Sequence, residues 1–136
     1  MRRFLTLAVL ALGVLAVAVP AALAGSPHFV TAEATRSGNS LTVTGKEAGL
    51  GNETQVHIEV TATAECINGG GKHPKAVNKE SVSAAGDFPV QNGKANFSLT
   101  LTATFQPDCS PPMTVRFSNI KVTDTAHGVT ENLGSA

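Results

Sequence analysis

Asn96-Phe97-Ser98-Leu99-Thr100-Leu101-Thr102-Ala103-Thr104-Phe105 is the stretch on which the fold turns. Its apolar residues fall at every second position, so Phe97, Leu99, Leu101, Ala103 and Phe105 share one face. Asn96, Ser98, Thr100, Thr102 and Thr104 share the other. Successive side chains of a strand point to opposite faces, and a period of two over ten residues is the mark of a half-buried strand. One face meets a core and the other meets water, as in an antiparallel sheet.

Val56 to Cys66 repeats the pattern. Val56, Ile58, Val60, Ala62, Ala64 and Cys66 are expected inward, with His57, Glu59, Thr61, Thr63 and Glu65 outward. Phe29 to Arg36 and Ser40 to Lys46 flank Ser37-Gly38-Asn39 and read as a hairpin. Lys79 to Ala84 is a weaker strand. Phe88 to Val90 and Lys94 to Phe97 flank Asn92-Gly93, the strongest short hairpin signal in the chain, and Pro89 places the first of them at a sheet edge. Thr114 to Thr125 changes phase between Val115-x-Phe117 and Ile120-x-Val122, which predicts a bulge near Ser118-Asn119. A turn at Ala126-His127-Gly128 then leaves Val129 to Leu133 as a last strand. No segment carries a helical period of useful length after the first 24 residues.

Those 24 residues are of another kind. Arg2 and Arg3 precede Phe4 to Val19, an apolar run interrupted only by Thr6 and Gly13, and Ala22-Leu23-Ala24 supplies a small-x-small cleavage pattern after Pro20. This is the anatomy of a secretory signal peptide. Sixteen helical residues reach about 24 Å, short of a bilayer core of roughly 30 Å. General secretion with cleavage after Ala24 is therefore expected, leaving no stable membrane anchor. Ser26 stands where a lipoprotein would need its lipid-bearing cysteine.

The leader also distorts the composition. The 136-residue chain is 42% apolar with ten basic and ten acidic groups. Without the leader, 112 residues remain, about 34% of them apolar, with eight bases against ten acids. A mildly acidic domain lacks the basic surface that neutralises phosphates, so a nucleic-acid partner is not expected. A domain this size buries a thin core, and a covalent staple helps it. Cys66 and Cys109 are an even pair in an exported chain, each at the end of a long strand, and are expected to form that staple. Closing a loop of that length contributes roughly 4 kcal/mol in the chain-entropy model.

Candidate chemistry is sparse. Gly69-Gly70-Gly71-Lys72-His73 lacks the spacing of a phosphate loop and has His73 where Ser or Thr should hold magnesium. His57 and Glu59 share a sheet face but are too few for a metal, and His28, His73 and His127 are scattered. No nucleophile elbow, His-Glu-x-x-His or matched carboxylate pair is present. The reading is no catalytic residue, no metal site and no cofactor. The outward threonines 61, 63, 100, 102 and 104 make a polar face, but the chain has no Trp or Tyr to form a sugar-stacking platform. The most suggestive segment is Gln106-Pro107-Asp108-Cys109-Ser110-Pro111-Pro112-Met113-Thr114. Three prolines and a bridged cysteine would hold it stiff with Met113 as an apolar projection, and preorganisation lowers the entropy cost of being bound. Pro111, Pro112, Met113 and Thr114 are the candidate partner-binding loop.

Cys66 followed by Gly71-x-His73-Pro74-x-Ala76, and then Cys109 with Pro112-Met113, resembles the secreted subtilisin-inhibitor-like proteins, in which a disulfide-braced Cys-Pro-Met-type loop enters a protease active site. The resemblance implies Met113 as the residue before the scissile bond and Thr114 as the one after. The chain departs from that family in having cysteines for one disulfide rather than two, and in the Ser110-Pro111 insertion before Pro112. The leader and the Ala/Val/Thr-rich pattern also resemble small secreted β-sandwich proteins of actinobacteria, which implies no particular function.

The expectation is thus an all-β chain, with a cleaved N-terminal signal helix over 1–24 and a single domain over 25–136. That domain is an antiparallel two-sheet immunoglobulin-like sandwich of about seven or eight strands. Its expected role is that of a secreted, non-enzymatic binding or cell-envelope module whose partner is an extracellular or envelope protein. The alternative is a serine-protease inhibitor acting through Pro112-Met113.

Overall fold

The computed structural model describes residues 26–68 and 74–136; the leader and the glycine-rich segment up to His73 lie outside the described residues. Seven strands follow in order: β1 His28–Ser37, β2 Ser40–Ala48, β3 Gln55–Ile67, β4 Pro74–Pro89, β5 Ala95–Thr102, β6 Thr114–Asp124 and β7 Val129–Gly134. There is no helix among the described residues. The strands form two antiparallel sheets, one in the order β1-β2-β5 and the other β4-β3-β6-β7.

The two sheets bury the faces that alternation assigns, except that Glu65, expected outward, is buried near the end of β3, where the Ser118 hydroxyl beside the β6 bulge donates to its Oε1 at 3.0 Å. Leu41 and Val43 of β2 and Phe97 and Leu101 of β5 meet Ile58 and Val60 of β3 and Phe117, Ile120 and Val122 of β6. Phe117, Ile120 and Val122 are fully buried although two residues rather than one lie between the first two, because β6 bulges where expected. Its register against β3 slips between Thr61 and Thr63, and Asn119 takes a left-handed φ of 51°. Ala103 and Phe105 continue the inward phase of β5 beyond its last paired residue, and both are buried.

A second bulge shapes the outer edge. The β1–β2 register slips between Phe29 and Thr31, which turns Val30 out to solvent at 52% exposure. Opposite it, a Cβ on Gly45 would collide with the Thr31 carbonyl oxygen and the Phe97 ring. The absence of a side chain there lets β1 lie close to β2 and lets Phe29 stack edge-on against Phe97, with ring centroids 5.8 Å apart.

Two expectations are corrected. Lys79–Ala84 and Phe88-Pro89 are not separate strands but parts of the single strand β4, an edge strand that ends at Pro89, with Val90 just beyond it. The Asn92-Gly93 turn forms, with φ of 55° and 77°, but it does not join a hairpin. Its flanks meet at one bridge, Gln91–Lys94, after which β4 pairs with β3 and β5 pairs with β2 in the other sheet. Backbone pairing with the two longer neighbours overrides the local turn.

Candidate functional site

At one end of the molecule Cys66 and Cys109 form a disulfide, their Cα atoms 5.8 Å apart. It fastens the end of β3 to the proline-rich loop before β6. Phe105 is buried, Cys109 and Met113 are half-buried, and Gln106 to Asp108 and Ser110 to Pro112 are exposed between them. The Met113 amide donates to the Ser110 carbonyl at 2.8 Å, closing a turn. Met113 does not project as expected: its sulfur lies 3.6 Å from Cys66 Sγ and the side chain packs on the core. A flexible thioether finds more contacts beside the disulfide than in water. Thr114 opens β6 and is exposed.

The sheet faces are mostly self-satisfied. His57 faces Asp87 across β3 and β4 at 2.7 Å, not Glu59, and both partners are about half exposed (45% and 54%). Such a pair contributes little to stability. The threonine face of the smaller sheet is closed by hydroxyl pairs, Thr42 to Thr100 at 3.1 Å and Ser40 to Thr102 at 3.2 Å. On the larger sheet the β6 bulge hollows an open groove of about 680 Å³ lined by Glu59, Thr61, Thr63, Ser81, Ser83, Asn119 and Lys121.

The opposite end holds a cluster that alternation alone does not announce. β2 runs Leu41, Val43, Gly45, Glu47 along its inward face, and β6 runs Ile120, Val122, Asp124 along its own. Both strands therefore end with a carboxylate pointed into the core, one from each sheet, and both are 0% exposed. Asp124 is well held. Its Oδ1 accepts from the amides of Ala126 and His127 at 3.0 and 3.1 Å, and its Oδ2 lies 2.6 Å from His127 Nδ1. The amide of Gly128 donates to the Asp124 carbonyl at 2.9 Å, and the positive φ of Gly128, 68°, lets the turn close. The far nitrogen of the same ring, Nε2, lies 2.8 Å from Glu53 Oε2, on the loop between β2 and β3.

Glu47 is held by nothing comparable. With its carboxyl ionised, neither of its oxygens has a hydrogen-bond partner among the described residues; protonated, it can donate to Asp124. Burial, then the hydrogen-bonding capacity and charge of Asp124, and then the charge of Glu53 push its carboxyl up to about 8. Burial also pushes Asp124 up, but the acidic proton of Glu47 and the ring and amide of His127 outweigh it and hold Asp124 below its usual value. His127 is raised, first by its bond to Asp124, against a smaller opposing effect of burial, with the charges of Asp124 and Glu53 adding. Glu47, Asp124 and His127 offer three donor atoms within 4.8 Å of one another. Part of the signal is in the sequence: Asp124 keeps the inward phase of Ile120 and Val122, whereas Glu47 lies one residue beyond the strand read over Ser40 to Lys46.

Compared with known protein families, curated proteins and solved structures, the chain finds no match.

Proposed function

We propose that the chain is a secreted, non-enzymatic binding module, immunoglobulin-like in type, that engages an extracellular or cell-envelope protein through the proline loop at its disulfide end. The observation that carries this reading is the loop itself. Six exposed residues, Gln106 to Asp108 and Ser110 to Pro112, are fixed between three anchors, Phe105, Cys109 and Met113. An exposed segment that is already ordered loses little entropy when a partner covers it. The strand orders β1-β2-β5 and β4-β3-β6-β7 support the immunoglobulin-like type, whose loops gather at the two ends of the sandwich. Export is supported by the leader composition and is compatible with the disulfide. No helix among the described residues is long and apolar enough to cross a membrane. The inhibitor alternative finds less support, because a substrate-like loop must present Met113 and here the side chain is turned inward.

The test compares the wild-type chain with Pro111→Ser/Pro112→Ser for retention on envelope protein from the producing cell. We expect retention to fall at least tenfold in the variant while its melting temperature stays within a few degrees. Equal retention of the two proteins would place the contact surface elsewhere.

A further inference from the structure

The cluster opposite the disulfide poses a specific problem. Glu47 is wholly buried, neither of its carboxylate oxygens has a hydrogen-bond partner among the described residues, and one of them lies within 4.8 Å of donor atoms of Asp124 and His127. A buried acceptor without a donor carries its full desolvation cost, and proteins retain such groups where something else fills the gap. The neighbouring groups indicate what that is. Asp124 comes from the other sheet, and His127 from the turn that follows it. The three donor atoms lie within 4.8 Å of one another, so small inward movements would bring all of them to the roughly 2.1 Å at which carboxylate oxygen and imidazole nitrogen bind zinc.

We propose that Glu47, Asp124 and His127 bind a single zinc-class divalent cation that ties the two sheets together at the end opposite the disulfide. His127 Nδ1 is the nitrogen beside Asp124, and Nε2 faces Glu53 at 2.8 Å. That is the arrangement by which a carboxylate outside the coordination sphere fixes the tautomer and orientation of a ligating histidine. Two carboxylates and one imidazole leave a fourth position for water or for a group from a partner. An imidazole in the set favours zinc and its neighbours over calcium and magnesium, which prefer all-oxygen shells. The entry side is formed by His127 and Glu53, whose side chains are 25% and 42% exposed.

The disulfide-bonded chain, stripped with a chelator and dialysed, is titrated with zinc chloride by calorimetry and followed by thermal unfolding. One equivalent should bind, and 100 µM zinc should raise the melting temperature by about 5 °C or more. Glu47→Gln, nearly the same shape, should weaken binding at least 100-fold. Glu53→Gln changes an exposed side chain, 42% accessible, and should weaken it about 10- to 100-fold. His57→Gln should leave affinity unchanged, which separates this site from a surface histidine. Absence of saturable one-to-one binding would overturn the proposal, leaving Glu47 as a neutral acid sharing a proton with Asp124. So would affinity that survives both Glu47→Gln and Glu53→Gln, or an equal thermal shift with calcium chloride.

Discussion

A carboxylate at an inward strand position must be neutralised, paired or ligated, because an isolated buried charge is far costlier than the fold can offset. In the chelated protein Glu47 takes the first course, keeping its proton up to about 8. The consequence for stability has a definite sign. In the unfolded chain Glu47 ionises near 4.5, whereas the folded chain holds that proton until about 8, so folding binds an extra proton between those values and stability falls as pH rises through them. His127 acts in the same direction: raised above 6.5, its contribution is complete below that pH and is lost as pH rises through the folded value. Asp124 is lowered, so its contribution is present above 3.8 and disappears only in stronger acid. The charged groups facing this cluster are Glu47, Glu53, Asp124 and His127, and among the described residues no basic side chain other than His127 is bonded to it. Chelator-treated protein should therefore melt several degrees higher at pH 5 than at pH 8. Glu47→Gln should flatten that slope, and a melting temperature that climbs from pH 5 to pH 8 would contradict the assignment.

Among the elements, β3 and the reach from Ala95 to Phe105 were legible from alternation alone, because nearly every inward position carries a side chain that fills the core. β4 was harder to read. Its inward phase runs Val82, Ala84, Gly86, Phe88, and Gly86 leaves a gap that masks the period; the space a Cβ would take lies against the Phe88 ring and a Leu99 methyl. The β1 bulge was not legible, since it depends on the approach of β1 to Gly45. Gly45→Ala tests that approach. The added carbon meets a backbone carbonyl, which cannot move aside as the end of a long side chain could. We expect a loss of at least about 1–3 kcal/mol by urea denaturation, with Phe29 losing its contact on Phe97. An unchanged midpoint would mean that β1 lies further from β2 than these contacts require.

At the scale of the molecule the two sheets are joined by apolar packing along their length, with one special device at each end: the disulfide that fastens β3 to the loop leading from β5 to β6 at one, the carboxylate and histidine cluster at the other. The disulfide is worth measuring directly. It closes a loop between residues 43 apart in sequence, and its removal in Cys66→Ala/Cys109→Ala should lower stability by about 2–5 kcal/mol. The same change frees Met113 from its seat beside Cys66, so protease sensitivity should rise first in Gln106 to Pro112. A double variant as stable and as resistant as the parent would show that packing alone holds that end.

The sequence by itself determined the all-β character, most of the strand positions, the bulge at Ser118-Asn119 and the pairing of the two cysteines. These follow from periodicity, turn chemistry and parity, which act within a strand or a few residues. Only the tertiary structure decided that the strands flanking Asn92-Gly93 part into different sheets, that Met113 turns inward, and that Glu47 meets Asp124 and His127. Each of those depends on which surfaces face one another across the core, and Glu47 and Asp124 are 77 positions apart in the chain. The side-chain period says that a carboxylate points inward; the packing of one sheet on the other says what it finds there.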